Sequence, residues 1–145
     1  MRKRIKATLL ALAASVLGCS GYYIAEYSEA VDTGATELQQ KVDRFLTDLE
    51  QTAGTPEGEY DLHEGFYAEV RDDIGALREV ASAQRGNDLT LQSLDLIGAN
   101  VDKLEALHAE GISRQEIGVV RTLFDTQFRM LVQLENAKKR KEGVS

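Results

Sequence analysis

The chain has 145 residues, 43% hydrophobic and 28% charged, with one proline, one cysteine, no tryptophan and a formal net charge of −7. This length suits one compact domain and is short for two. The acidic balance repels nucleic-acid phosphates, which argues against DNA or RNA as a partner, and a lone cysteine excludes an internal disulfide or a multi-cysteine metal site.

Arg2, Lys3, Arg4 and Lys6 make the first six residues cationic, residues 7–17 are apolar, and Val16-Leu17-Gly18-Cys19 follows at once. A charged start, a short apolar run and small residues at its end are the layout of a secretory signal. With a cysteine at the cleavage position, the segment resembles the lipobox of bacterial lipoproteins. The resemblance covers about the first twenty residues. Val16, Leu17 and Gly18 take the three positions before the cysteine, Leu17 standing where small residues are commoner. It implies that the Cys19 thiol is alkylated with a diacylglyceryl group, that the chain is cut between Gly18 and Cys19, and that the new amine is acylated. Ser20, in place of aspartate, implies release to the outer membrane, facing the periplasm; the cytoplasmic membrane is the alternative.

Cleavage would leave residues 19–145 and remove four of the 17 basic residues, so that 13 stand against 24 acidic ones, a net charge of −11. Two or three acyl chains anchor stably, at about 0.8 kcal/mol per buried methylene. The competing reading keeps residues 5–25 as an uncleaved helical anchor of about twenty residues, with Cys19 incidental. Only Ser20 and Gly21 separate Cys19 from the first helical pattern, so the domain is expected to lie close to its membrane.

Four amphipathic helices are predicted next. Over residues 22–53 the apolar positions Ile24, Tyr27, Val31, Leu38, Val42, Phe45 and Leu49 return to one face, with Gly34 marking a bend or a close helix contact. Gly54 and Pro56 end this run. Asp61 and Glu64 have capping-box spacing ahead of a stripe of Leu62, Phe66, Val70, Ile74, Leu77 and Ala81, predicting a helix over 62–85. The third, over 89–110, carries Leu91, Leu94, Ile97, Val101, Leu104 and Leu107 and stops at Gly111; it is expected to be the shortest. The fourth, over 114–141, opens with a Ser113/Glu116 capping box flanked by Ile112 and Ile117 and ends among Lys138, Lys139, Arg140 and Lys141, cations that suit the negative end of the helix dipole.

Short connections make successive helices antiparallel, so the expected fold is all-α: an up-down antiparallel four-helix bundle over residues 19–145, following a signal peptide at 1–18. The alternative is an elongated coiled coil in which the first helix pairs with another subunit.

Chemistry-bearing patterns are sparse. Glu105 and His108 have the Glu-x-x-His spacing of carboxylate-bridged di-iron bundles, but a second such motif is missing, and the simpler reading is a solvated pair at the edge of the core. His63 reads as surface. Neither a nucleophile motif, a phosphate loop nor a haem-attachment motif is present, so no catalytic residue, cofactor or resident metal is expected. Tyr22, Tyr23 and Tyr27 suit either a membrane interface or packing at the end of the bundle. In an up-down bundle both termini share one end, which would bring Lys138, Lys139, Arg140 and Lys141 back toward Cys19 and to anionic lipid.

The expected function is that of a non-catalytic helical module, anchored in the envelope by lipid, that binds an envelope protein or itself. Two alternatives stand beside it. One is a periplasmic small-ligand sensor or carrier, which calls for a cavity between helices. The other is an envelope chaperone: Leu89-Thr90-Leu91-Gln92 is loosely similar to the Leu-Thr-x-x-Gln motif of the Spy-like proteins, with one spacer residue fewer.

Overall fold

The computed structural model describes residues 23–143. Four helices account for most of them: α1 Glu29–Thr52, α2 Glu64–Ser82, α3 Asp88–Ala109 and α4 Arg114–Glu142. Each packs on its neighbours in a closed ring, α1 on α2, α2 on α3, α3 on α4 and α4 on α1. This is the four-helix bundle expected from the apolar stripes, and α1 finds its partners within its own chain.

The helix ends follow local chemistry. Helix α1 begins at Glu29, later than the expected residue 22, because Ser28 sits in extended backbone and its Oγ accepts from the Val31 N–H at 3.3 Å. Such a cap contributes about 1 kcal/mol. Residues 23–28 before it are not helical.

Helix α2 departs further from expectation. Asp61 and Leu62 belong to a 3-10 turn, Tyr60–Leu62, so the Asp61/Glu64 capping box does not form and His63 takes the N-cap without a side-chain bond. Leu62 is left exposed and Tyr67 enters the core. Starting late and ending at Ser82 rather than at 85, α2 has 19 residues and is the shortest helix, not α3, which has 22.

At α4 the capping box does form: Ser113 Oγ accepts from Glu116 N–H at 3.3 Å while Glu116 Oε2 accepts from Ser113 N–H at 2.8 Å. Ile112 and Ile117 are both buried beside it. Gly111, at φ +93°, makes the left-handed stop after α3.

The core is filled from all four stripes, with Leu38, Leu46, Tyr67, Leu94, Ile97, Phe124, Phe128 and Leu131 almost wholly buried. Each large apolar side chain removed from water stabilises by about 1.5–3 kcal/mol. Phe45 stacks on Phe66 with ring centroids 3.7 Å apart and meets Tyr67 edge-on at 5.6 Å. Gly34 marks a close helix contact, since a Cβ there would come within 2.5 Å of Leu77 Cδ2 on α2. Ion pairs lie across three of the seams: Lys41–Asp73 joins α1 to α2, Arg71–Asp102 and Arg78–Asp95 join α2 to α3, and Arg121 reaches Asp43 and Glu50 from α4. They are half exposed and set register more than stability. Among the described residues no helix is long and apolar enough to cross a membrane.

Candidate functional site

Two polar clusters occupy the two ends of the bundle. At the end that holds residues 23–28 and the last turn of α4, Lys138 turns inward and is 4% exposed. Its Nζ donates to Glu135 Oε1 at 2.6 Å, Asn87 Oδ1 at 2.6 Å and Thr90 Oγ1 at 2.8 Å, which uses all three ammonium protons. Thr90 Oγ1 donates in turn to Glu135 Oε1 at 2.7 Å, and Asn87 Nδ2 to the Ala81 carbonyl at 2.8 Å. One buried group thereby ties α4 to the start of α3 and the end of α2. Glu135 Oε2 is buried with no hydrogen-bond partner among the described residues.

The expected basic surface is corrected by this arrangement. Lys138 is internal, because residues 128, 131, 135 and 138 continue the inward stripe of α4 and its ammonium has a carboxylate to meet there. Lys139, Arg140 and Lys141 are exposed. Lys139 Nζ lies 4.8 Å from the centroid of the Tyr27 ring, a cation–π position.

Residues 23–28 form a strap across the same end. The Ala25 N–H donates to the Gly86 carbonyl at 3.2 Å, and Ala25 is buried. Gly86 has φ +81°, and a Cβ there would collide with the Tyr23 carbonyl oxygen. The Tyr27 N–H donates to the Glu142 carboxylate at the end of α4. The Tyr27 hydroxyl donates to Asp32 Oδ2 at 2.8 Å, and the carboxylate beside it pushes the phenol up to about 12. Tyr27 therefore packs on the bundle's end, whereas Tyr23 is mostly exposed. Val16, Leu17, Gly18, Cys19 and Tyr22 lie outside the described residues.

At the opposite end His108 is buried, not solvated as expected. Tyr67 Oη and His108 Nδ1 are 2.8 Å apart, and His108 Nε2 lies 2.8 Å from the Gly58 carbonyl oxygen. A carbonyl only accepts, so Nε2 carries a proton, and in the neutral ring Nδ1 accepts from the tyrosine. Burial holds its pKa below the ordinary histidine value, against the pull of the Gly58 carbonyl. Burial also raises the Tyr67 phenol. Glu105, one turn earlier, accepts from Arg71 and from Tyr60 Oη at 2.9 Å, and the guanidinium lowers its carboxyl. Half-buried His63 has its Nε2 2.9 Å from the Glu57 carbonyl.

Metal coordination by His108 would break one of two hydrogen bonds, and Glu105 is engaged by Arg71. Among the described residues no group of three or more His, Cys, Asp or Glu side chains is arranged to hold an ion. Between the α1–α2 connection and the α3–α4 turn lies an open cleft of about 640 Å³, lined by Thr55, Glu59, Tyr60, Asp61, Glu110 and Ile112 among others. It sits at the tip of the bundle, outside the helical core.

No family model, curated protein or solved structure matches the chain.

Residues 87, 90, 135 and 138 were not legible as a buried cluster. Their spacing continues the apolar stripes of α3 and α4, and that was the available signal, but a polar residue on a stripe reads equally as the stripe's end.

Proposed function

We propose that the protein is an envelope lipoprotein, held by lipid on Cys19, whose helical bundle acts as a non-catalytic module that binds another protein or a second copy of itself. The observation that carries this reading is the strap. Cys19 precedes Tyr23 by four residues, a reach of at most about 14 Å, and the strap fixes the chain to the end of the bundle that also holds Lys139, Arg140 and Lys141. A lipid there would keep that end at the membrane and direct the cleft and the loops around Gly58 and Gly111 away from it.

A filled core and interior polar groups that bond largely to one another favour a recognition surface over a buried reaction centre. The sensor or carrier reading draws its support from the cleft at the far tip, which is open and bordered by carboxylates rather than apolar and enclosed, as small-ligand sites usually are.

Intact mass of the protein from the membrane fraction tests the anchor. The expected result is a chain cut before Cys19 carrying lipid mass, with Cys19→Ser uncut and unlipidated. A full-length mass without lipid for the wild type overturns it. Site-specific photocrosslinking from the helix surfaces, in the same membranes, tests the interaction role; the absence of any protein adduct from every helix overturns that part.

A further inference from the structure

Exposed apolar side chains are distributed unevenly around the bundle. Helix α1 presents no large one and α2 only Val80, whereas α3 presents Leu89 and Leu96, and α4 presents Val119, Leu123 and Met130. Val119, Met130 and Leu96 are 67%, 63% and 59% exposed. On α4 they belong to a continuous outer stripe, Val119, Leu123, Thr126, Met130, Gln133 and Ala137, in which steps of four and three residues alternate and every member is exposed. This is the spacing of a coiled-coil seam. Helix α4 thus carries two seams: an inner one through Ile117, Phe124, Phe128 and Leu131, which closes the bundle, and an outer one with no partner among the described residues. The outer stripe of α3, from Leu89 through Gln92, Leu96 and Ala99 to Ala106, has the same alternation, with Lys103 its one charge.

We infer that the outer seam of α4 is a homodimer interface, packed in parallel on α4 of a second copy with the α3 apolar residues at its margin. Charge allows a second copy on this face and opposes it on the others. A chain whose mature form would carry −11 repels its own copy over most of its surface, and a parallel two-fold pair sets each residue against itself, where any charge opposes its like. The α4 stripe satisfies that demand, having no charged residue from 119 to 137 at its seam positions, while the outward faces of α1 and α2 carry Glu37, Asp43, Asp48, Glu69, Asp72 and Glu79.

Size agrees. Residues 119–137 of a helix extend about 27 Å, and a face two helices wide is about 20 Å across, so roughly 500 Å² of planar surface is offered. Corrugated by side chains, this approaches the about 800 Å² per partner of a stable interface.

The parallel direction rests on the lipid-anchored reading above: two copies in one leaflet, each held at its strap end, present their α4 helices in the same sense. Leu123 then meets Leu123, Thr126 meets Thr126 and Met130 meets Met130.

Single-cysteine crosslinking of the full chain in its membrane tests this. Under mild oxidation Val119→Cys and Met130→Cys are expected to form disulfide-linked homodimers, while Asp72→Cys on the outer face of α2 stays monomeric. Leu123→Glu is expected to weaken association about tenfold or more in detergent by burying a charge, with an unchanged circular dichroism spectrum. Linkage at Thr126→Cys without linkage at 119 and 130 means an antiparallel pair and overturns the proposal. So do equal linkage at position 72, no linkage at 119 or 130, and a bifunctional crosslink from position 119 to a protein of another mass. Running wild type and a Cys19→Ser background alongside separates the two readings: dimers linked through Cys19 itself refute lipidation, and linkage at 119 and 130 in the Cys19→Ser background then still reports the seam.

Discussion

Lys138 and Glu135, one helical turn apart on α4, form an ion pair inside the bundle, Nζ to Oε1 2.6 Å, with side-chain exposures of 3% and 0%. Desolvating two charges costs several kcal/mol, and the hydrogen bonds from Thr90 and to Asn87 offset part of it. The pair holds the end of α4 against α3 and the α2–α3 turn, where the strap also docks.

Removing one partner should therefore cost far more than removing both. Lys138→Met leaves the Glu135 carboxylate buried without its cation and is expected to destabilise by about 3–5 kcal/mol, whereas Lys138→Met with Glu135→Leu should lie within about 1–2 kcal/mol of wild type or above it. Urea denaturation followed by circular dichroism measures both. Equal losses for the single and double variants would refute the assignment.

Neutral His108 gives the fold a pH dependence. Its folded pKa is depressed, so between the folded and the unfolded value the unfolded chain binds the extra proton. Stability from this group is present in full above the unfolded value of about 6.5 and is lost as pH falls below it toward the folded value. The Glu105 carboxyl, also depressed, acts lower, losing its contribution as pH falls through the carboxylate range. The urea midpoint is expected to drop between pH 7.5 and 5.5 in wild type and to change less in His108→Phe. That variant leaves the Gly58 carbonyl and the Tyr67 hydroxyl without partners and should itself cost about 2–3 kcal/mol at neutral pH.

The strap depends on Gly86. Gly86→Ala meets both the left-handed backbone at φ +81° and the Tyr23 carbonyl, so a loss of about 1–2 kcal/mol should come with faster proteolysis within residues 23–28. Gly111→Ala, at φ +93° with open space around it, should show a similar loss of stability without the added cleavage. Limited proteolysis read by mass spectrometry distinguishes them; identical strap cleavage in the two variants would count against the docked strap.

Ser113 tests the helix start that was clearest in the sequence. Ser113→Ala removes the acceptor for the Glu116 N–H and should cost about 1 kcal/mol, visible as a lower urea midpoint with unchanged slope.

The fold class and most of the helix boundaries were legible in the residues because they rest on local rules. Apolar spacing near 3.6 residues sets which face of each helix is buried, Ser113 and Glu116 sit close enough in sequence to cap their own backbone, and Gly111 supplies a conformation that other residues resist. The remaining features joined residues far apart in the chain. Asp61 enters a 3-10 turn instead of capping a helix, while Tyr67 packs edge-on against Phe45 in the core and Leu62 stays exposed. Whether Lys138 would face lipid or protein was decided by Glu135 and by Asn87 and Thr90 of another helix, and whether His108 would be wet or dry by Tyr67 and Gly58. A polar side chain on an apolar stripe is stable inside only if its partners arrive from elsewhere, so periodicity alone marks the position and tertiary packing alone decides whether the position is buried. By itself the sequence determined the class of fold and an expected address; the tertiary structure decided which of the charged residues are buried and which stay at the surface.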